Sequence, residues 1–331
     1  MRRRRAGYGC CEAKKNAVTA YLVYVVLFYA ILIGQIEPFF SYSSTFGLIG
    51  NLLAFPMYWT SLKIHQGDCR WTWIWFTATG VLYFIGDLLW AYHADVLGVE
   101  PESPSICDIF YLLNSYACCC AFICYIRQIK KLDAGSAFFD ILITVIALGG
   151  LLFRFIIQPL IQDSSIGLFQ MFLHANMSVI DLALFMGILM VIFGTARSRF
   201  FSKRTLLLGL SFFACCFVEQ FSLAIEVYDL PVGSFFDPFW AAPFWLFALT
   251  GMYPDEDEVG EEEKIAFHRK WGKIVENACV VLPYIMTALV IWLVGIREAS
   301  ENGAFCLVMV LMAGRIAWSL FLHARRTPAA S

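Results

Sequence analysis

The sequence predicts an all-α fold: a polytopic transmembrane helix bundle of about ten spans, with both termini in the cytoplasm and a parallel internal repeat. Three observations predict it. Hydrophobic residues make up 60% of the 331 and charged residues 15%, where soluble domains sit near roughly half and a quarter. The mean hydropathy is +0.69, and apolar runs of span length recur along the chain. The loops between those runs alternate in charge. A soluble fold has no place for so much apolar surface, whereas lipid accepts it on the outside of a helix bundle.

The elements follow in order. Residues 1–16 form a basic cytoplasmic N-terminus with Arg2, Arg3, Arg4, Arg5, Lys14 and Lys15. The opening basic stretch resembles the start of a signal peptide. The apolar run behind it is span-length and has no clear small-residue cleavage site, so a retained first helix is expected. A lead hairpin fills 17–70, with spans near 17–36 and 43–62. A first four-helix repeat fills 71–204, with spans near 71–93, 105–126, 136–158 and 172–194. A second fills 205–322, with spans near 205–226, 235–252, 275–296 and 303–322; the run 235–252 is short, and a kink is expected at its two prolines, Pro238 and Pro243. Residues 323–331 form a cytoplasmic tail.

Loop charge sets the orientation, because Lys and Arg concentrate on the cytoplasmic side. Loop 2–3 carries Lys63 and Arg70, and loop 4–5 carries Arg127, Lys130 and Lys131. Loop 6–7 carries Arg197, Arg199, Lys203 and Arg204, loop 8–9 Lys264, Arg269, Lys270 and Lys273, and the tail Arg325 and Arg326. The intervening loops carry Glu37; Asp95, Glu100 and Glu102; Asp163; Asp229; and Arg297 against Glu298 and Glu301. One missed or invented span would break that alternation. The acidic stretch from Asp255 to Glu263 reads as a solvated connector.

Other chemistries find little support. The 12 Cys lie mostly inside apolar runs, without a CxxC pair, as soft core residues do. The five His are scattered, with none at i, i+3 or i, i+4 spacing, so no metal or haem site is expected. A net charge of −2 gives no reason to expect nucleic-acid binding. No catalytic arrangement stands out, and no enzyme activity and no cofactor are expected.

The stretches 86–116 and 218–245 look alike. Each has an acid late in a span (Asp87, Glu219), a short Gly- and Pro-bearing loop, and Ser-x-x-Asp at the next span's entry: Ser105 to Asp108, and Ser234 to Asp237. An aromatic pair follows each Asp, Phe110–Tyr111 and Phe239–Trp240. The spacing suits a capping box, in which Ser caps the helix and Asp reaches back to the cap amide. The copies lie four spans apart, an even number, so they share orientation.

Gly86-Asp87-Leu88-Leu89-Trp90, followed by Pro104-Ser105-x-x-Asp108-x-Phe110-Tyr111-Leu112, resembles the multi-span N-terminal membrane regions of bacterial GGDEF and EAL signalling proteins. Gly233-Ser234-x-x-Asp237-x-x-Trp240 is similar to that family's second repeat, and the segments around Asp140 and Asp181 resemble its other aspartate-bearing spans. The resemblance covers most of 70–322. It implies a sensory module in the bacterial inner membrane that passes a signal to a cytoplasmic cyclic-di-GMP enzyme. No GGDEF or EAL string occurs in this sequence, so cyclase activity is not carried over, and a missing output domain or a partner in trans is expected.

Charges within spans are costly and normally face the bundle interior. Asp140, Asp181, Arg154 and Arg315 are the candidate intramembrane charges, with pairing to Arg154 or Arg315 as the structural reading. Asp87, Trp90, Asp108, Tyr111, Glu219, Asp237 and Trp240 are the candidate lining of an outward-facing site for a cationic or amphipathic small molecule, against interfacial packing as the plainer reading. The expected partners are membrane lipids, a cytoplasmic signalling protein, an unidentified small ligand and a second copy in a homodimer. A small-solute transporter working through intramembrane carboxylates is the competing expectation.

Overall fold

A backbone in an apolar surrounding has no partner but itself, so long apolar runs close their hydrogen bonds as helices. The computed structural model describes residues 2–36, 43–99, 101–129, 138–163, 167–197, 201–228, 233–254, 261–294 and 303–326. No strand occurs among them. The helices are α1 (Arg2–Gly34), α2 (Ser43–Leu52), α3 (Phe55–Ile64), α4 (Asp68–Ala91), α5 (Ile106–Ile126), α6 (Phe138–Leu152) and α7 (Gln158–Gln162). They continue as α8 (Leu168–Arg197), α9 (Lys203–Tyr228), α10 (Asp237–Gly251), α11 (Glu261–Phe267), α12 (Lys273–Val294) and α13 (Gly303–Arg326). Single π-helical turns extend α4 over Tyr92–Val96, join α6 to α7 over Phe153–Ile157 and join α11 to α12 over His268–Gly272. Glu37, Glu100, Lys130, Lys131, Arg199, Asp229, Arg297, Glu298, Glu301 and the acidic stretch 255–260 lie outside the described residues, as do the side chains of Ser234 and Glu226.

Seven of these helical runs are long and apolar enough to cross a membrane: Glu12–Gly34, Asp68–Val96, Ile106–Ile126, Phe138–Gln162, Leu168–Ala196, Lys203–Ile225 and Ile265–Leu293. The architecture is that of a multi-pass membrane protein. Bulky apolar side chains face outward, among them Val26 and Ile33 on α1 and Trp292 on α12, as lipid-facing surface requires.

Three expected spans take a different form. The run 43–62 is two ten-residue helices, α2 and α3, broken at Leu53–Ala54. Pro56 causes the break: it has no N–H for the Leu52 carbonyl, and its ring crowds that carbonyl. Backbone bonds tighten to Ala54 N→Asn51 O at 3.0 Å and Met57 N→Ala54 O at 3.1 Å. Helix α10 has 15 residues, roughly 22 Å at 1.5 Å per residue, short of a roughly 30 Å hydrocarbon core. It runs through Pro243 as one helix, with Pro238 in the first turn, where a missing N–H is harmless. In α13 the described apolar part is Phe305–Arg315.

The chain forms two compact units from non-contiguous stretches. The first takes Met1–Lys130, Ser164–Leu184 and Lys203–Gly260. Its centre is aromatic: Phe247 stacks on Phe76 at 4.7 Å and meets Phe212 edge-on at 5.0 Å, and Phe212 meets Phe122 at 5.0 Å. Side chains of α1 and α3 pin α10. Tyr21 donates to the Pro238 carbonyl at 2.6 Å and Tyr58 to the Phe244 carbonyl at 2.8 Å. His65 Nε2 lies 2.8 Å from the Gly251 carbonyl, satisfying one of the oxygens that a helix end leaves open.

The second unit takes Lys131–Asp163, Phe185–Ser202 and Glu261–Ser331. Its core joins α6, α12 and α13 through Ile143, Ala147, Leu151, Val290, Phe305, Val308 and Met312. Phe305 lies against Gly150, where an added Cβ would meet its ring at 2.6 Å.

Candidate functional site: buried carboxylates in each unit

In the first unit, Asp87 sits on α4 behind Gly86. A Cβ at Gly86 would come within 2.6 Å of the Tyr111 ring, so glycine there lets α5 approach closely. Tyr111 then reaches across and donates its hydroxyl to Asp87 Oδ1 at 3.0 Å. From the opposite side Asn51, in the last turn of α2, donates Nδ2 to Asp87 Oδ2 at 2.7 Å. Gly50 repeats the device, because a Cβ there would meet Tyr24 and Ala241 at 2.9 Å. Among the described residues no Lys or Arg pairs with Asp87. Asn51 is 5% exposed, and its Oδ1 has no partner among the described residues.

Tyr83 lines the same region, with its ring 3.9 Å from Phe244 and 5.5 Å from Tyr111. Asp87, Glu219 and Asp237 all lie within electrostatic reach of it. Asp237 opens α10 beside Gly47, whose added Cβ would stand 3.8 Å from the Asp237 Cβ. Gly47 and Asn51 are four residues apart and therefore share a face of α2.

A second group joins α8 and α9. The carboxyl groups of Asp181 and Glu219 come within hydrogen-bonding distance of each other. Gln220 Nε2 donates to Asp181 Oδ2 at 2.7 Å. Cys216 donates to the Asp181 backbone carbonyl at 3.5 Å, and Cys215 lies 3.8 Å from Glu219 Oε1.

The two Ser-x-x-Asp copies part company. The first is a capping box at the start of α5: the Ser105 amide donates to Asp108 Oδ2 at 2.6 Å, and Ser103 adds a second donor at 3.1 Å. Asp108 is thereby committed to the helix end. In the second copy a 3-10 turn, Gly233–Phe236, precedes the helix and makes Asp237 its first residue. No described group donates a hydrogen bond to Asp237.

In the second unit Asp140 on α6 is buried and ion-paired with Arg315 on α13. Arg315 also donates to the Tyr284 hydroxyl at 2.8 Å and the Val280 carbonyl at 3.3 Å on α12, and lies over the Tyr284 ring at 4.9 Å. Arg154 lies 3.4 Å from Gln158 Oε1 and over the Phe155 ring at 6.0 Å.

No protein-family model, curated protein or solved structure matches the chain.

Of the sequence-predicted residues, then, Asp87 meets Tyr111, Glu219 meets Asp181, and Asp140 meets Arg315. Trp90 and Trp240 are half-buried. Asn51, Gln220 and Tyr83 are the additions. Asn51 was detectable as a polar residue inside an apolar run, behind a glycine, in the same way as Asp87. Among the described residues no three His, Cys, Asp or Glu side chains converge as a metal group.

Proposed function

We propose that the chain is an integral membrane signal-input module of the cell membrane, with ten spans and both termini in the cytoplasm, that detects an outer-face or membrane-phase stimulus and relays it to a cytoplasmic partner. The kinked pair α2–α3, the short α10 and α13 supply the three spans beyond the seven apolar runs. The alternating loop charges support that count, since it keeps every basic loop on one side. The observation that carries the reading is the Asp87 node: a carboxylate in a membrane span, held by neutral donors from α2 and α5 and without a described counter-charge. A ligand that binds there more tightly in one helix arrangement than in another shifts the balance between them. Asp108 and Asp237 each stand in the first turn of a helix, at matching positions of the two similar sequence stretches, and the resemblance to GGDEF-linked membrane regions supplies the class of output.

The reading is tested in the host cell by replacing Asp87 with Asn and measuring the cyclic-di-GMP level together with the abundance of the chain. A changed level at equal abundance supports the module. An unchanged level, both here and on deletion of the chain, sinks it. The Asp181–Glu219 pair favours a second reading, a small-solute carrier that moves protons on paired carboxylates. Solute uptake into proteoliposomes that is lost on Asp181→Asn would select the carrier.

A further inference from the structure

The Asp87 node has the makings of a cation site. Its carboxylate already accepts from Tyr111 at 3.0 Å and from Asn51 at 2.7 Å, both neutral donors, and no cation among the described residues balances its negative charge. Isolated charge in an apolar surrounding is costly until it is neutralised. Beside it stands Asn51 Oδ1, an amide oxygen in a residue that is 5% exposed, with no partner among the described residues. That oxygen shares its amide carbon with the nitrogen already touching Asp87, so it belongs to the same few ångströms of space. A half-turn of the amide exchanges a donor for an acceptor at the Asp87 carboxylate. Every candidate donor is oxygen, which suits a hard cation, and the direct ligands carry one negative charge, which suits a monovalent one.

We infer that Asp87 and Asn51 form a binding site for sodium or a similar monovalent metal cation, in which the Asn51 amide turns to present Oδ1. The inference rests on the reading of the Asp87 node as an input site and names what it takes. Sodium would tie α2 to α4 through shared ligands and so favour the arrangement in which Asn51 faces Asp87.

The test uses the purified full chain in nanodiscs. Its thermal unfolding midpoint is followed as sodium chloride replaces N-methylglucamine chloride at constant ionic strength and pH. A ligand that binds only the folded state raises the midpoint with the logarithm of its concentration. The wild-type chain is expected to show that rise, Asp87→Asn to be flat, and Asn51→Ala to need about tenfold more sodium, the loss of one neutral ligand being about 1.4 kcal/mol. Should Asp87→Asn fail to fold, retention of radioactive sodium by Asn51→Ala against wild type decides. A wild-type midpoint indifferent to sodium overturns the site, as does a rise unchanged in both variants. A midpoint that follows pH alone, marking a proton in sodium's place, overturns it too. None of these readings involves a cytoplasmic partner, so failure here leaves the signalling experiment to be judged separately.

Discussion

Gly86 and Asp87 act together, and their neighbour Tyr111 shows why. The glycine admits the ring and the aspartate receives the hydroxyl. Tyr111→Phe keeps the ring and removes one hydrogen bond to a charged group, an expected loss of about 1.5–3 kcal/mol. Gly86→Ala instead pushes a methyl into a ring that would stand 2.6 Å away, with an expected overpacking cost of about 1–3 kcal/mol. Thermal melts in nanodiscs check both, and the two effects are expected to be less than additive because both act on one contact. The motif Gly-Asp was visible in the sequence, but its partner Asn51 was not singled out. Asn51 lies 36 residues upstream, in the last turn of α2, and only the packing of α2 against α4 brings it to Asp87. Asp108 shows the opposite case: the local Ser-x-x-Asp spacing was enough to predict the capping box that the structure contains.

At the scale of elements, the apolar runs located the long helices, because length and hydropathy are local properties. The broken second run was harder to see. Its composition is span-like throughout, and Pro56 alone divides it into α2 and α3. Pro56→Ala restores an N–H to the Leu52 carbonyl, and the two helices are expected to join. Hydrogen exchange is expected to slow across residues 52–58, and unchanged exchange there would argue that tertiary packing, not Pro56, makes the break. In the second unit Arg315 clasps α6 and α12 from α13. Arg315→Gln removes the positive charge that Arg315 sets against the buried Asp140, and breaking a buried pair from one side is expected to cost about 3–5 kcal/mol. The double variant Asp140→Asn with Arg315→Gln is expected to recover most of that loss. Melts of the four forms give the coupling directly, and strict additivity would deny the clasp. The sequence offered both Arg154 and Arg315 as partners for the spans' acids, since either stands in an apolar run, and three-dimensional packing chose Arg315 for Asp140.

For the whole molecule, the all-helical, multi-pass character was legible from composition alone, because it sums over every residue. The grouping of the chain into two units was not, since each gathers stretches far apart in sequence. The number of crossings governs the functional reading. Seven crossings, an odd number, would put the termini on opposite sides; ten would put them on the same side, as the proposed cytoplasmic output of the C-terminal helix requires. A pair of C-terminal fusions measures this most directly: a green fluorescent protein that fluoresces only in the cytoplasm, and an alkaline phosphatase that is active only outside it. The ten-span account predicts a fluorescent first fusion and an inactive second. An active phosphatase with a dark fluorescent partner would contradict it, and would remove the cytoplasmic exit on which the signal-input reading depends.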